Sequence, residues 1–274
     1  MKLMTVKMKA ALVILGGILL ASALAPLIAP WDPLASDLAR ALEGPSGEHL
    51  LGTDNIGRDL LSRVLYGGRQ SILLALAATA LSMALGFVLG LFAGYFQGGA
   101  DMVITTASNI FQGLPGMTLM IAVAGLMGQG VKSMLLAIVL NSWAGFSRIV
   151  RGEVMRLKRE SFVDGLKTVG AGNFRILFLH IAPNLFGTLC VMFATRVAGN
   201  VIAVASMSFL GLGLQPPAPD WGVMINDARQ YFRHRPLLVL APGLCVVLLS
   251  LSVNLAADGL RDWMDTRGEN ADSM

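Results

Sequence analysis

Few side chains in this sequence are placed to do covalent chemistry. Three histidines, His49, His180 and His234, stand far apart and at no metal-ligand spacing, so no metal site is expected. A glycine-containing stretch from Gly125 to Gly130 leads to Lys132 and Ser133, but Val131 separates the glycine from the lysine, and the phosphate-cradling loop cannot form. No Gly-x-Ser-x-Gly elbow and no carboxylate pair with a partnering base is present. The chain is therefore expected to be no enzyme, to bind no cofactor, and to take energy for any work from a partner or an ion gradient. What remains is a set of polar groups inside apolar runs: Arg196, Asn200, Asn141 and Asn254. A lipid-facing Arg196 would cost about 2.5 to 3.5 kcal/mol on insertion scales, so it is expected to face protein or water. Asn200 lies one helical turn further on the same face. These four could line a path for a polar cargo, and the asparagines could equally serve as hydrogen-bonding glue between helices.

The elements that must position these groups follow from composition. Hydrophobic residues make up 55% of the chain and charged residues 14%, with a mean hydropathy of +0.67. That is far more apolar than a water-soluble domain. An all-α integral membrane protein is expected, because the apolar runs are continuous, whereas barrel strands alternate apolar and polar residues. Six runs are long enough to propose as transmembrane helices, at 10–29, 71–95, 103–127, 134–146, 185–214 and 237–257. The fourth is short and must extend into Arg148 and its neighbours, whose charged heads snorkel. Lys2, Lys7 and Lys9 ahead of the first run, an apolar stretch and Ala23-Leu24-Ala25 imitate a signal peptide. A retained span is the preferred reading, since the run reaches Ala29 and Pro26 would follow the cut. Cys190 and Cys245 fall inside spans and imply no disulfide.

Charge sets the expected orientation. Seven cations, Arg148, Arg151, Arg156, Lys158, Arg159, Lys167 and Arg175, fill the segment 148–183, and loops rich in Lys and Arg stay cytoplasmic. The lysines before the first span agree, and six crossings then place both termini in the cytoplasm. The net charge of +4 reflects this bias and not a nucleic-acid partner, because no cationic face is interleaved with aromatic residues. The chain divides into residues 1–70 (first span and external loop), a core at 71–257 containing the cytoplasmic loop 148–183, and a cytoplasmic tail at 258–274. Within the external loop, Leu60, Leu61, Val64 and Leu65 share one helical face and Arg58, Asp59, Ser62 and Arg63 the other, which predicts a short surface helix. A helix is also expected over 223–231, with Trp221 anchoring at the membrane interface. Gly86, Gly90, Gly94 and Gly98 form a flat stripe for close helix packing within the chain, and Pro115 between Gly113 and Gly116 should kink or break the third run.

Three separated segments carry a resemblance. The first is Leu51-Gly52-Thr53-Asp54-Asn55-Ile56-Gly57-Arg58-Asp59. The second is Asp164-Gly165-Leu166-Lys167-Thr168-Val169-Gly170-Ala171, followed by Pro183-Asn184. The third is Met207-Ser208-Phe209-Leu210-Gly211-Leu212-Gly213 with Trp221-Gly222. Together they resemble the peptide and nickel ABC importer permeases, in particular the second, C-type, permease subunit. The resemblance implies a type I importer fold in a bacterial inner membrane. Its partners would be a homologous permease subunit, two cytoplasmic ATPases, an external solute-binding protein and the surrounding lipid. It assigns ATPase coupling to Asp164, Gly165, Leu166, Gly170, Ala171 and Pro183, and an external motif to Gly52, Asp54, Gly57, Arg58 and Asp59. The family's Glu-Ala-Ala triplet is replaced here by Asp164-Gly165-Leu166. Val204 stands where peptide permeases carry an acid, and 221–231 is closer to nickel permeases. Nickel or a nickel chelate is the expected cargo, with di- or oligopeptides as the alternative. An ion-coupled transporter is the rival class, but no span carries a central Asp or Glu.

Overall fold

A computed structural model describes the backbone of residues 6–271 and the side chains of residues 8–262; Lys2 and most of the expected tail lie outside the latter range. The described chain is predominantly helical, with irregular connections at 29–59 and 210–220, and its only strand-like feature among described residues is a single bridge between Thr53 and Asp59. In chain order come α1 (Val6–Ala23), α2 (Ala25–Ile28), α3 (Leu60–Phe96), α4 (Gly98–Gly113), α5 (Gly116–Met127), α6 (Val131–Leu157) and α7 (Ser161–Thr168). There follow α8 (Asn173–Arg175), a π-helical stretch Ile176–Ile181, α9 (Ala182–Asn184), α10 (Phe186–Phe209), α11 (Trp221–Ala228) and α12 (Leu237–Ala271).

Four helices, α3, α6, α10 and α12, are long and apolar enough to cross a membrane, or five if α4 and α5 together count as one broken span. The expected straight span at 103–127 does not form. Pro115 supplies no backbone donor to a helix, α4 stops at Gly113, α5 starts at Gly116, and the two axes diverge by 96°. The run at 134–146 is the middle of a longer helix: α6 has 27 residues and continues past Arg148 to Leu157. The expected separate surface helix at 60–65 is the first turns of α3, whose 37 residues rise about 55 Å. That exceeds the roughly 30 Å hydrocarbon thickness, so α3 projects beyond it. α1 joins the bundle by close packing, since a Cβ on Gly259 would meet Met8 Sδ and one on Gly68 would meet Ser22 Oγ.

The central seam joins α3 to α6. A Cβ on Gly86 would lie 2.6 Å from Trp143 O, one on Gly90 2.6 Å from Ser147 O, and one on Gly94 2.8 Å from Arg151 O. Three of the four stripe glycines thus let the two backbones touch within the chain. Gly98 does not take part, because a Cβ on it would meet none of the described residues within 4 Å beyond its chain neighbours, and it starts α4 with φ +61°. A large apolar core gathers α3, α5, α6, α10, α11 and α12, while a second core at the α7 end joins Leu91, Val150, Val154, Val163, Ile176 and Ile181.

Candidate translocation cavity and coupling segment

The polar residues of the apolar runs converge only in part. A cavity of about 870 Å³ opens between α5, α6, α10 and α12, and Arg196, Asn200 and Asn141 line it. Asn254 does not; it is exposed on α12 one turn before Asp258, short of the lining residues. The break at Pro115 positions Asn141, because α5 leans over α6 so closely that a Cβ on Gly116 would lie 2.6 Å from Asn141 Oδ1. Asn200 is buried and its Nδ2 donates to Thr79 Oγ1 at 2.8 Å, so this asparagine ties α10 to α3 while its flank forms cavity wall. Arg196 is exposed to the cavity, its guanidinium 5.9 Å from the Phe146 ring centroid and pressed onto Gly145. It makes no ion pair among the described residues. Sequence reasoning missed Glu153, Asp258 and Arg261, which also line the cavity. A signal existed for Glu153: Asn141, Gly145, Ile149 and Glu153 recur every fourth residue and so share one face of α6.

The segment 148–183 is built on a rigid footing. Val163 of α7 is fully buried in the second core, Tyr95 OH donates to Asn173 Oδ1 at 3.0 Å, and Lys158 Nζ reaches Tyr95 O. The far face of α7 is open: Phe162, Asp164 and Gly165 are exposed, and Val169 is 80% exposed. Asp164 pairs with Lys167 at 2.9 Å, but both side chains are largely solvated, so the pair adds little stability. The helix ends in a Schellman motif. Gly170 N donates to Lys167 O at 2.9 Å, Ala171 N to Leu166 O at 3.0 Å, and Gly170 has φ +79°. Of the glycines at 165, 170 and 172, only Gly170 is left-handed; Gly165 is inside α7 and Gly172 is extended. Pro183 starts within α9 and is exposed.

At the opposite end the motif Gly52 to Asp59 is an internal brace. Asp54 Oδ1 accepts from Ile56 N and Arg58 N, both at 3.0 Å, and its Oδ2 binds Arg58 Nε. Asp59 caps α3 by accepting from Ser62 N at 2.7 Å, and its other oxygen lies 2.9 Å from His49 Nδ1. Gly57, at φ +80°, packs so tightly that any Cβ would strike Asp37 O. Arg58, Asp59, Ser62 and Arg63 were expected on a solvent face, yet all four are buried. Charge pairing explains the reversal: Arg63 donates to Pro33 O at 3.0 Å and lies 3.5 Å from Asp54 Oδ2. Trp221, expected at a membrane interface, is likewise buried, its Nε1 donating to Val64 O at 2.9 Å above Gly67 and Gly68. Asp220 caps α11 through Gly222 N and Val223 N and accepts from Ser71 Oγ, and burial pushes its carboxyl upward despite these donors. Burial likewise raises the Asp227 carboxyl, against the pull of Arg58 and Arg63. Among the described residues no three His, Cys, Asp or Glu side chains gather as a metal site.

A bundle with an anchored, outward-facing α7 at one end and a charge-braced motif at the other matches a known family over its main part. Residues 86–268 match the family described as binding-protein-dependent transport system inner membrane component. The chain belongs to that family. Similar proteins include a glutathione transport system permease protein of Pectobacterium atrosepticum, 40% identical over 84% of this chain and 77% of the relative. A dipeptide transport system permease protein of Alkalihalophilus pseudofirmus is 36% identical over 93% and 84%. A di/tripeptide transport system permease protein of Pseudomonas aeruginosa is 36% identical over 90% and 84%. The permease is thus a multi-pass inner-membrane subunit of an ABC importer and not itself the catalyst. Its class implies a binding protein, an ATPase and a paired permease as partners. The nickel reading gains no specific support from these relatives, whose names point to the peptide alternative.

Proposed function

We propose that this permease carries di- or tripeptide-sized cargo, glutathione included, from an external binding protein into the cytoplasm through the cavity between α5, α6, α10 and α12. The observation that carries the reading is the identity of 36% to 40%, over most of both chains, to permeases named for glutathione, dipeptides and tripeptides. The cavity supports it, since carboxamides, hydroxyls and both signs of charge line a space of about 870 Å³, large enough for a small peptide. In this reading α1 with α2 and the bent α4–α5 pair complete six crossings, both termini are cytoplasmic, and 30–59 is external. The cation excess of 148–183 supports that orientation. The open face of α7 then meets one of two cytoplasmic ATPases, with Asp164, Gly165, Leu166, Gly170, Ala171 and Pro183 near the contact. Closure of the ATPases moves α7 as a lever, and its anchoring on α3 and α6 passes that motion to the cavity walls.

The test is uptake by the complete complex in proteoliposomes with its own binding protein. Labelled glutathione or a dipeptide is expected to accumulate in an ATP-dependent manner, while nickel alone does not. Nickel accumulation without peptide accumulation would overturn the cargo and restore the reading that the segment 221–231 first suggested.

A further inference from the structure

An unpaired arginine within an apolar bundle invites an anionic partner, and the cavity shows where one would come from. Arg196 has no carboxylate of the described residues within ion-pair distance, and its guanidinium rests on a shelf made by Gly145 and the Phe146 ring. Glycine at 145 lets the guanidinium lie this close: a Cβ there would be 2.8 Å from Arg196 Nη2 and would push the side chain aside. The acids of the same cavity lie on one side of Arg196, toward the α7 end. Glu153 is two turns beyond Gly145 on α6, about 12 Å along the axis at 1.5 Å per residue, and is already paired with Arg156 at 3.0 Å. Asp258 has its height set by α12. Ser250 Oγ donates to Ala198 O at 3.2 Å, and α10 and α12 run antiparallel from their shared packing on α11. Eight residues past Ser250, Asp258 is therefore level with about residue 190 of α10, roughly 9 Å from the height of Arg196. Asp258 makes no ion pair among the described residues.

We infer that Arg196 and Asp258 form a two-point gauge for a zwitterion, Arg196 binding the cargo's carboxylate and Asp258 its ammonium. The inference rests on the peptide reading above and adds to it a length and a direction. An extended residue spans about 3.3 to 3.6 Å, so a tripeptide reaches about 10 Å end to end, comparable to the axial offset of about 9 Å between the two residues. The ammonium end points toward α7. Guanidinium is suited to the first role because it holds carboxylates through parallel hydrogen bonds and keeps its charge at every physiological pH. Arg261, at the acidic end, keeps that region from being purely anionic and so from trapping the ammonium too tightly.

The experiment compares uptake of one tripeptide as free acid and as C-terminal amide by the complete reconstituted complex, against the ratio at which the isolated binding protein binds the two forms. In the wild type, uptake should favour the free acid by about tenfold beyond the binding protein's own ratio, the size expected for one charged hydrogen-bonded contact. Arg196→Gln should bring the ratio down to that of the binding protein, and Arg196→Lys should keep most of the preference. Asp258→Asn should do the same for free against N-acetylated peptide. If Arg196→Gln leaves the ratio at its wild-type value, or lowers uptake of acid and amide equally, Arg196 is no carboxylate contact and the gauge is wrong. If the wild-type complex accumulates neither form, the peptide reading itself falls and takes the gauge with it.

Discussion

Replacing Gly90 by leucine should destabilise the permease by about 3 kcal/mol, the upper part of the range for overpacking a tight contact. The β-carbon alone would sit 2.6 Å from the Ser147 carbonyl and 2.7 Å from Val150 Cβ, and the obstructing atoms belong to backbone and a branched side chain that cannot swing away. α3 and α6 would have to separate, and both cores depend on their contact. Gly125→Leu is the matched control, because a Cβ on Gly125 would meet no neighbouring element of the described residues within 4 Å and a surface change of this kind falls within about 0.5 kcal/mol. Thermal denaturation of the detergent-purified chain followed by size-exclusion chromatography reads the difference. Equal melting of the two variants would mean that the seam is not formed as described.

The second large effect is expected at Gly170, and it should be functional. Beyond its chain neighbours, no atom of the described residues lies within 4 Å of a Cβ at this position, so bulk there meets no internal obstacle. The strain comes from the backbone instead: at φ +79° a side-chain-bearing residue costs about 1 to 2 kcal/mol, and the Schellman turn that ends α7 loosens. That energy corresponds to a factor of about 5 to 30 in the ratio of ordered to disordered turn. Gly170→Arg should therefore cut uptake and substrate-stimulated ATP hydrolysis of the complex by that order, with normal abundance in the membrane. Gly170→Asn should be milder, since asparagine tolerates the left-handed region. Full stimulation in the arginine variant would remove α7 from the coupling role.

These two glycines show how much could be seen in the sequence and where it stopped. The stripe at Gly86, Gly90 and Gly94 and the break at Pro115 were both legible, because small-residue spacing and a missing backbone donor act locally. The reason for Gly170 was not: a positive φ is a property of the completed turn, which the loop motif alone does not reveal. Periodicity misled most at 58–63. Arginines and aspartates read as a wet face, but Asp54, Arg58, Asp59 and Arg63 neutralise one another and accept or donate to backbone, and the charged side becomes the inside. Trp221 misled for a related reason. An indole beside prolines looks like an interfacial anchor, whereas Gly67 and Gly68, far away in sequence, leave the slot it fills. Of the cavity, Arg196 and Asn141 were visible as polar residues in apolar runs, while Glu153 and Asp258 lay just beyond the apolar runs at 134–146 and 237–257, where charge is unremarkable.

The central claim is that the exposed face of α7 docks on an ATPase. The most direct measurement places a single cysteine at Val169, which is 80% exposed beside the Schellman turn, in a chain with Cys190 and Cys245 replaced. Carrying a photoactivated cross-linker in the assembled complex, this residue should attach to the ATPase subunit, with a yield that changes when ATP is added. A cross-link confined to the paired permease, or labelling of the same cysteine by an impermeant reagent from outside the cell, would contradict the account.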